Sequence, residues 1–190
     1  MKYLDALIIG AGFSGLYQLH CLRDKLKLNT LVVEEGKDIG GTWYWNTYPG
    51  ARCDSESFTY GFTFSEKIFK NWTWKERYPK QNVILKYLKY FSNELKLKKN
   101  IVFNEKVISA KYIEKNNLWK VQTNNKKKFY TKYLICAVGS LSSINLPKIK
   151  GINQFKGQLH HSGRWPRKKI NFKNKIVGQV GTGSTGIQIA

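Results

Sequence analysis

Between Tyr3 and Glu34 the chain passes from an apolar run through a glycine-rich turn and an amphipathic stretch into a second β-rich run, and this succession restricts its fold most tightly. Residues 3–9 (YLDALII) end abruptly at Gly10, the pattern of a strand buried on both faces of a parallel sheet. Over 14–28, Leu16, Leu19, Leu22 and Leu26 recur three and four residues apart, which predicts a helix closed at Asn29. Residues 30–34 (TLVVE) are the next strand. A strand, a helix and a strand in so short a span must place the two strands parallel. The class is therefore α/β, in a chain of 190 residues that can bury one good core or two small ones.

The remaining stretches alternate in the same legible way. From Gly36 to Pro79 the sequence is rich in Gly, Trp, Tyr and Ser without a period, the mark of a long functional loop region holding short elements. Residues 81–97 follow Pro79 with apolar side chains at helical spacing, an amphipathic helix. Lys106–Tyr112, Leu118–Thr123 and Phe129–Cys136 read as strands divided by Asn116-Asn117 and Asn124-Asn125, an antiparallel meander returning to the sheet. Residues 144–151 form a linker, and 175–180 (KIVGQV) are expected as a strand running into a second glycine-rich turn at 181–186.

Gly10-Ala11-Gly12-Phe13-Ser14-Gly15 fits G-x-G-x-x-G, and its context makes it specific. It follows a strand, opens a helix and precedes by 19 residues Glu34, at the end of the next strand. Gly10 permits the tight turn, Gly12 lets backbone N–H groups approach a pyrophosphate, and Gly15 allows close helix–strand packing. The helix start adds partial positive charge. Glu34 accepts hydrogen bonds from ribose hydroxyls and repels a 2′-phosphate, so this site takes FAD or NAD rather than NADP. Gly181-Thr182-Gly183-Ser184-Thr185-Gly186 repeats the pattern.

Composition excludes several classes. The first 60 residues hold six basic and seven acidic side chains, so the formal net charge of +21 sits beyond them. Almost all of it is Lys, with five Arg in the chain, whereas a nucleic-acid reader uses the planar Arg fork. The charge is read as a solvated face; a basic protein reusing this scaffold for nucleic acid or anionic lipid is the reading from another class. Cys21, Cys53 and Cys136 show no C-x-x-C spacing, so neither a zinc knuckle nor a redox disulfide is written here, and no metal site is expected. No apolar run reaches membrane-spanning length, and Asp5 with three early glycines interrupts any signal-peptide core. The chain reads as cytoplasmic, its oligomeric state open.

Two longer segments carry a resemblance. Gly40-Gly41-Thr42-Trp43-Tyr44-Trp45 continuing through Pro49-Gly50-Ala51-Arg52-Cys53-Asp54 to Ser57 resembles the second signature of the flavin-dependent Baeyer-Villiger monooxygenases. Phe155-Lys156-Gly157 continuing through His160-His161 to Arg164-Trp165-Pro166 fits F-x-G-x-x-x-H-x-x-x-W-P and is similar to that family's fingerprint. Trp165-Pro166 favours it over the related monooxygenases that oxidise nitrogen or sulfur, which remain the alternative.

The resemblance implies a Rossmann-like FAD-binding domain, a parallel sheet plus an antiparallel meander, over residues 1–143. It implies a linker with the His–Trp motif over 144–174 and the start of a second Rossmann-like, NADP-binding domain over 175–190. The chain then corresponds to the N-terminal portion of a longer family member. The implied reaction inserts one atom of O2 next to a ketone carbonyl, giving an ester or lactone, with NADPH as reductant and FAD as cofactor. The 190 residues alone are expected to be inactive. Gly10, Gly12, Phe13, Ser14, Gly15, Glu34, Gly41, Thr42, Trp43, Trp45, Arg52, Asp54 and Tyr60 fall to FAD, with Val107 at its adenine. Gly181, Thr182, Gly183, Ser184, Thr185 and Gly186 fall to NADPH, while Asp54, Arg52, His161 and Trp165 are the residues expected nearest catalysis. His161 serves as a positioning or hinge residue, or is a satisfied structural histidine. Gln179 departs from an apolar position of the family, and its burial without a partner would cost roughly 1–3 kcal/mol.

Overall fold

The computed structural model describes residues 3–190. In chain order its elements are β1 (Tyr3–Ile9), α1 (Phe13–His20), β2 (Thr30–Val33), α2 (Thr42–Trp45), α3 (Glu66–Lys70), α4 (Gln81–Glu94), β3 (Ile101–Val102), β4 (Val107–Ile113), β5 (Leu118–Thr123), β6 (Lys128–Cys136) and α5 (Ser184–Ile189). They belong to two compact units. One takes in the chain up to Tyr44 together with Lys86–Gly139; the other takes Trp45–Leu85 and Ser140–Ala190.

The first unit holds a six-stranded sheet in the order β3-β2-β1-β6-β5-β4. β1 is central, parallel to β2 through Ile8↔Val32 and to β6 through Ile8↔Ile135. Three consecutive β1 residues, Ala6, Leu7 and Ile8, are buried, so both faces of the strand are covered, and its unbroken apolar run is the direct consequence. Leu4, Leu7, Leu31, Val33, Val121 and Phe129 form one apolar cluster, joined at its margin by Val107, Trp119 and Leu134. The meander is as expected: β4 and β6 each run antiparallel to β5, with Val121 paired to Ala110 and Phe129. Asn117 turns between β4 and β5 with φ 49°, the left-handed conformation that asparagine tolerates.

The structure departs from the sequence reading in three places. The helix expected over 14–28 keeps α-form only through His20, and Cys21–Lys25 continue as one wide turn in which the Leu26 N–H donates to the Cys21 carbonyl at 3.0 Å. Arg23, on that turn, donates to the Leu95 carbonyl at 2.7 Å and to Asn100 Oδ1 at 3.1 Å, contacts between distant residues that no local period encodes. β3 is a two-residue edge strand that the sequence did not announce. Residues 175–180 form no strand; Ile176 and Val177 are exposed, because no other strand of the described residues pairs with their backbone groups. Gln179 is likewise exposed and donates to the Gly181 carbonyl at 3.1 Å, so the expected burial penalty does not arise.

In the second unit Ala51–Cys53 runs beside Pro79–Gln81. The Cys53 N–H donates to the Pro79 carbonyl at 2.9 Å and the Gln81 N–H to the Ala51 carbonyl at 2.8 Å, an antiparallel bridge centred on Arg52 and Lys80. Ser65 caps α3, its hydroxyl accepting from the Ile68 N–H at 3.4 Å, and Ile68 turns inward. No helix of the described residues is long and apolar enough to cross a membrane.

If the sheet of the first unit rests on its apolar cluster, Leu7→Ala should lower unfolding free energy by about 2–5 kcal/mol. Ile108→Thr, at an exposed position of edge strand β4, should stay within about 0.5 kcal/mol. Urea denaturation of both variants measures the contrast.

Candidate functional site

The turn after β1 is built by one close approach. Gly10 has φ 100°, and a Cβ on Gly15 would lie 1.9 Å from the Gly10 carbonyl oxygen, so the first turn of α1 sits directly on the strand end. Gly12 caps α1 in an extended conformation, and the first intrahelical bond runs from the Leu16 N–H to the Gly12 carbonyl at 3.0 Å. The N–H groups ahead of it, in the first turn, have no carbonyl one turn back to bond. Opposite Gly12 lies Gly41, near enough that a Gly12 Cβ would meet the Gly41 Cα at 3.4 Å. The Gly40 N–H donates to the Ala11 carbonyl at 2.9 Å, joining the second signature to the first.

Glu34 leaves β2 at the same end of the sheet and is buried. Its Oε2 accepts the Ala11 N–H at 2.6 Å and its Oε1 accepts the Gly36 N–H at 2.7 Å. Burial pushes the carboxyl above the usual glutamate range, opposed by those two hydrogen bonds. Each carboxylate oxygen keeps a second lone pair for a further donor. On the far side of Glu34 the chain is clamped by Val102–Glu105, where the Glu34 N–H donates to the Val102 carbonyl and the Glu105 N–H to the Glu34 carbonyl, both at 2.9 Å. Val107, which opens β4 shortly beyond, is half-buried.

Asp38 went unnoticed in the sequence. Its carboxylate receives Lys98 at 2.7 Å and Lys89 at 2.9 Å, fixing the 36–41 loop on α4 and the turn after it. Burial opposes its ionisation, but the two ammonium groups prevail and hold it below the usual aspartate range. Two lysines from the basic part of the chain thus act locally; their spacing from Asp38 in sequence gave no sign of it.

The second unit carries the other expected residues. Arg52 and Asp54 are exposed and only Cys53 between them is buried. Successive side chains of an extended segment alternate in direction, and only the middle one faces the interior. Burial pushes the Cys53 thiol up, and its Sγ accepts the Ser55 N–H at 3.4 Å. Arg52, Cys53, Asp54 and Tyr78 line an open groove of about 440 Å³ with Ser184, Ile187 and Gln188. Tyr60 is half-buried. Arg164 lies over the Trp45 ring at 4.9 Å, a cation–π contact within this unit. His161 Nδ1 accepts the Gly163 N–H at 3.1 Å, and the Trp165 ring makes tilted contacts with His160 at 5.7 Å and with Phe172 at 6.3 Å. Thr42 is exposed and Trp43 buried.

Residues 181–186 repeat the first turn. Gly181 has φ 110°, Gly183 caps α5 in an extended conformation, and a Cβ on Gly186 would lie 2.5 Å from the Gly181 carbonyl. The loop geometry forms even without the strand expected before it. Among the described residues the cysteines are free and no group of His, Cys, Asp and Glu is placed to hold a metal.

With this geometry, a comparison with known proteins is direct. The chain matches the flavin-binding monooxygenase-like family over residues 5–190, and it belongs to that family. It is 44% identical over 185 residues to a Baeyer-Villiger monooxygenase of Pseudooceanicola batsensis, covering 97% of this chain and 34% of that protein. To a cyclohexanone 1,2-monooxygenase of an Acinetobacter species it is 45% identical, covering 97% and 34%. The crystal structure of cyclohexanone monooxygenase from Rhodococcus sp. Phi1 bound to NADP+ superposes with a TM-score of 0.94 at 41% identity, over 99% of this chain and 35% of that one. The chain thus spans about a third of the length of the relatives it matches.

Glu34→Gln sets an amide NH2 against the Ala11 or the Gly36 N–H, leaving a buried donor unpaired at a cost of about 1–3 kcal/mol. Because the folded Glu34 holds its proton more tightly than the unfolded one, its contribution is full at low pH and is lost as pH rises from the ordinary glutamate range through the raised value. Asp38 has the opposite sign: its contribution is present above the ordinary aspartate range and lost as pH falls through its lowered value. Urea midpoints against pH for Glu34→Gln and Asp38→Asn should therefore diverge from the parent in opposite directions.

Proposed function

We propose that this chain forms the first part of a Baeyer-Villiger monooxygenase, holding FAD at the Gly10–Gly15 turn and NADPH at the Gly181–Gly186 turn. The observation that carries the reading is the pairing of a glycine-lined helix start with the Glu34 carboxylate, one hydrogen bond apart at 2.6 Å. The residues present fit the group: no Cβ stands at Gly12, the helix start presents first-turn N–H groups that have no intrahelical acceptor, and Glu34 has lone pairs for two ribose hydroxyls. Val107 backbone, with Phe13 and Ser14 at the helix start, completes the adenosine side, and the stretch Gly41, Thr42, Trp43 and Trp45, with Asp54 and Tyr60, the flavin side. Thr182, Gly183, Ser184 and Thr185 cradle the second diphosphate. Arg52 is assigned to anion stabilisation and His161 with Trp165 to positioning. The corresponding domains are 1–143 for FAD, 144–174 as linker and 175–190 for NADPH.

Bound FAD would supply oxygen activation and NADPH the two electrons for inserting one oxygen atom beside a ketone carbonyl. The chain's own residues bind and orient. Glu34 discriminates against a 2′-phosphate by charge, and the Gly12–Gly41 approach sets how close the diphosphate comes. Arg52, exposed on the groove, offers a cation to a developing negative charge.

Gly12→Ala separates a cradle from a merely structural turn. Its Cβ meets Gly41 only at ordinary contact distance, so the variant should fold with a midpoint near the parent's while FAD affinity falls at least about tenfold. Flavin fluorescence quenching, with ADP as competitor, measures it, and equal affinity in parent and variant would sink the assignment. Affinity for ADP should also rise with pH as Glu34 ionises, a dependence absent from Glu34→Gln. On a catalytically complete protein carrying this stretch, product analysis with ketones, amines and sulfides decides the chemistry: esters or lactones support the proposal. The 190 residues alone should not couple NADPH consumption to ketone, which assay of the purified chain checks directly.

A further inference from the structure

The segment centred on Arg52 is hydrogen-bonded on both sides. Ala51 and Cys53 turn their carbonyl and N–H toward Pro79–Gln81, so the Arg52 N–H and carbonyl face the opposite way, where no strand of the described residues lies. A side chain takes the strand's place. The Arg52 N–H donates to Gln188 Oε1 at 3.2 Å, and Gln188 Nε2 donates to the Arg52 carbonyl at 3.2 Å. The Arg52 N–H can only donate and its carbonyl only accept, which sets the orientation of the carboxamide, and the Tyr48 hydroxyl donates to the same Oε1 at 3.0 Å. The segment ahead of Arg52 lies against the backbone of the same helix: Gly50 has φ 76°, and a Cβ there would fall 1.9 Å from the Gln188 carbonyl oxygen.

Gln188 stands in α5, which the Gly181–Gly186 turn begins. It therefore joins two segments far apart in sequence that line one groove. We propose that Gln188 is a positioning residue, its carboxamide acting as a one-residue strand that ties the Arg52–Asp54 segment to the Gly181–Gly186 turn. Occupancy of the turn is transmitted to Arg52 and Asp54 through this ladder. The proposal rests on the reading that the turn takes NADPH; the ladder itself does not.

Amide hydrogen exchange on the 190-residue chain, resolved by residue, tests it. Without ligand, Gln188→Leu should speed exchange of the Arg52 amide roughly fivefold to tenfold, the effect of losing its hydrogen bond, and leave the Cys53 amide, bonded to Pro79, within about twofold. Equal acceleration at Arg52 and Cys53, or none at Arg52, overturns the ladder. A second measurement needs no variant: in the parent chain, NADP+ should slow exchange at 181–186 and at Arg52–Asp54 with the same saturation. Protection at 181–186 alone overturns the coupling even if Gln188→Leu does not fold. Failure of NADP+ to protect either segment defeats the NADPH reading and the transmitted occupancy, while the ligand-free contrast still decides the ladder.

Discussion

A carboxylate that meets a helix start is the contact on which the geometry of the first unit turns. The Ala11 N–H reaches Glu34 only because β1 and β2 lie side by side in parallel register and α1 descends directly onto the end of β1. That descent requires that Gly15 have no side chain, since the Gly10 carbonyl occupies the space. The sheet supplies the platform, the two glycines the approach, and the approach brings the N–H groups of a helix start and a buried acid to one place. The acid is held high in its titration range by burial, and the N–H bonds keep it from being higher still. A buried carboxyl so poised favours its charged form most when further donors arrive, as ribose hydroxyls would.

The same turn is made twice with different support. At Gly10 it grows from a strand in the centre of a sheet; at Gly181 it grows from an exposed segment without regular structure, yet the positive φ, the extended cap and the carbonyl packed beneath the last glycine recur. Local sterics among three glycines and a helix start are sufficient to shape the loop. They are not sufficient to make a strand, whose backbone groups need partners outside the segment. The exposure of Ile176, Val177 and Val180 follows from that difference.

Charge behaves differently at short and long range. The lysine excess specifies no partner by itself, but Lys89 and Lys98 converge on Asp38 and pin the loop that carries Gly40 and Gly41. A composition that reads as a solvated surface thus includes two residues with a definite architectural task.

The β-α-β opening, the meander and the first glycine turn were legible in the amino-acid order because each is governed by local period and local sterics: apolar alternation, leucines at helical spacing, glycines at fixed intervals, asparagines at turns. The resemblance of 40–57 and 155–166 to a flavoenzyme family was carried by residue identity over contiguous segments in the same way. Tertiary structure alone decided the rest. The wide turn at Cys21–Lys25, the edge strand β3, the double ion pair on Asp38 and the capping of Arg52 by Gln188 each join residues with no common period. So did the fate of 175–180, where an apolar run met no neighbour to pair with. Periodicity states which face of an element is apolar; which backbone or charge it meets depends on where the chain returns.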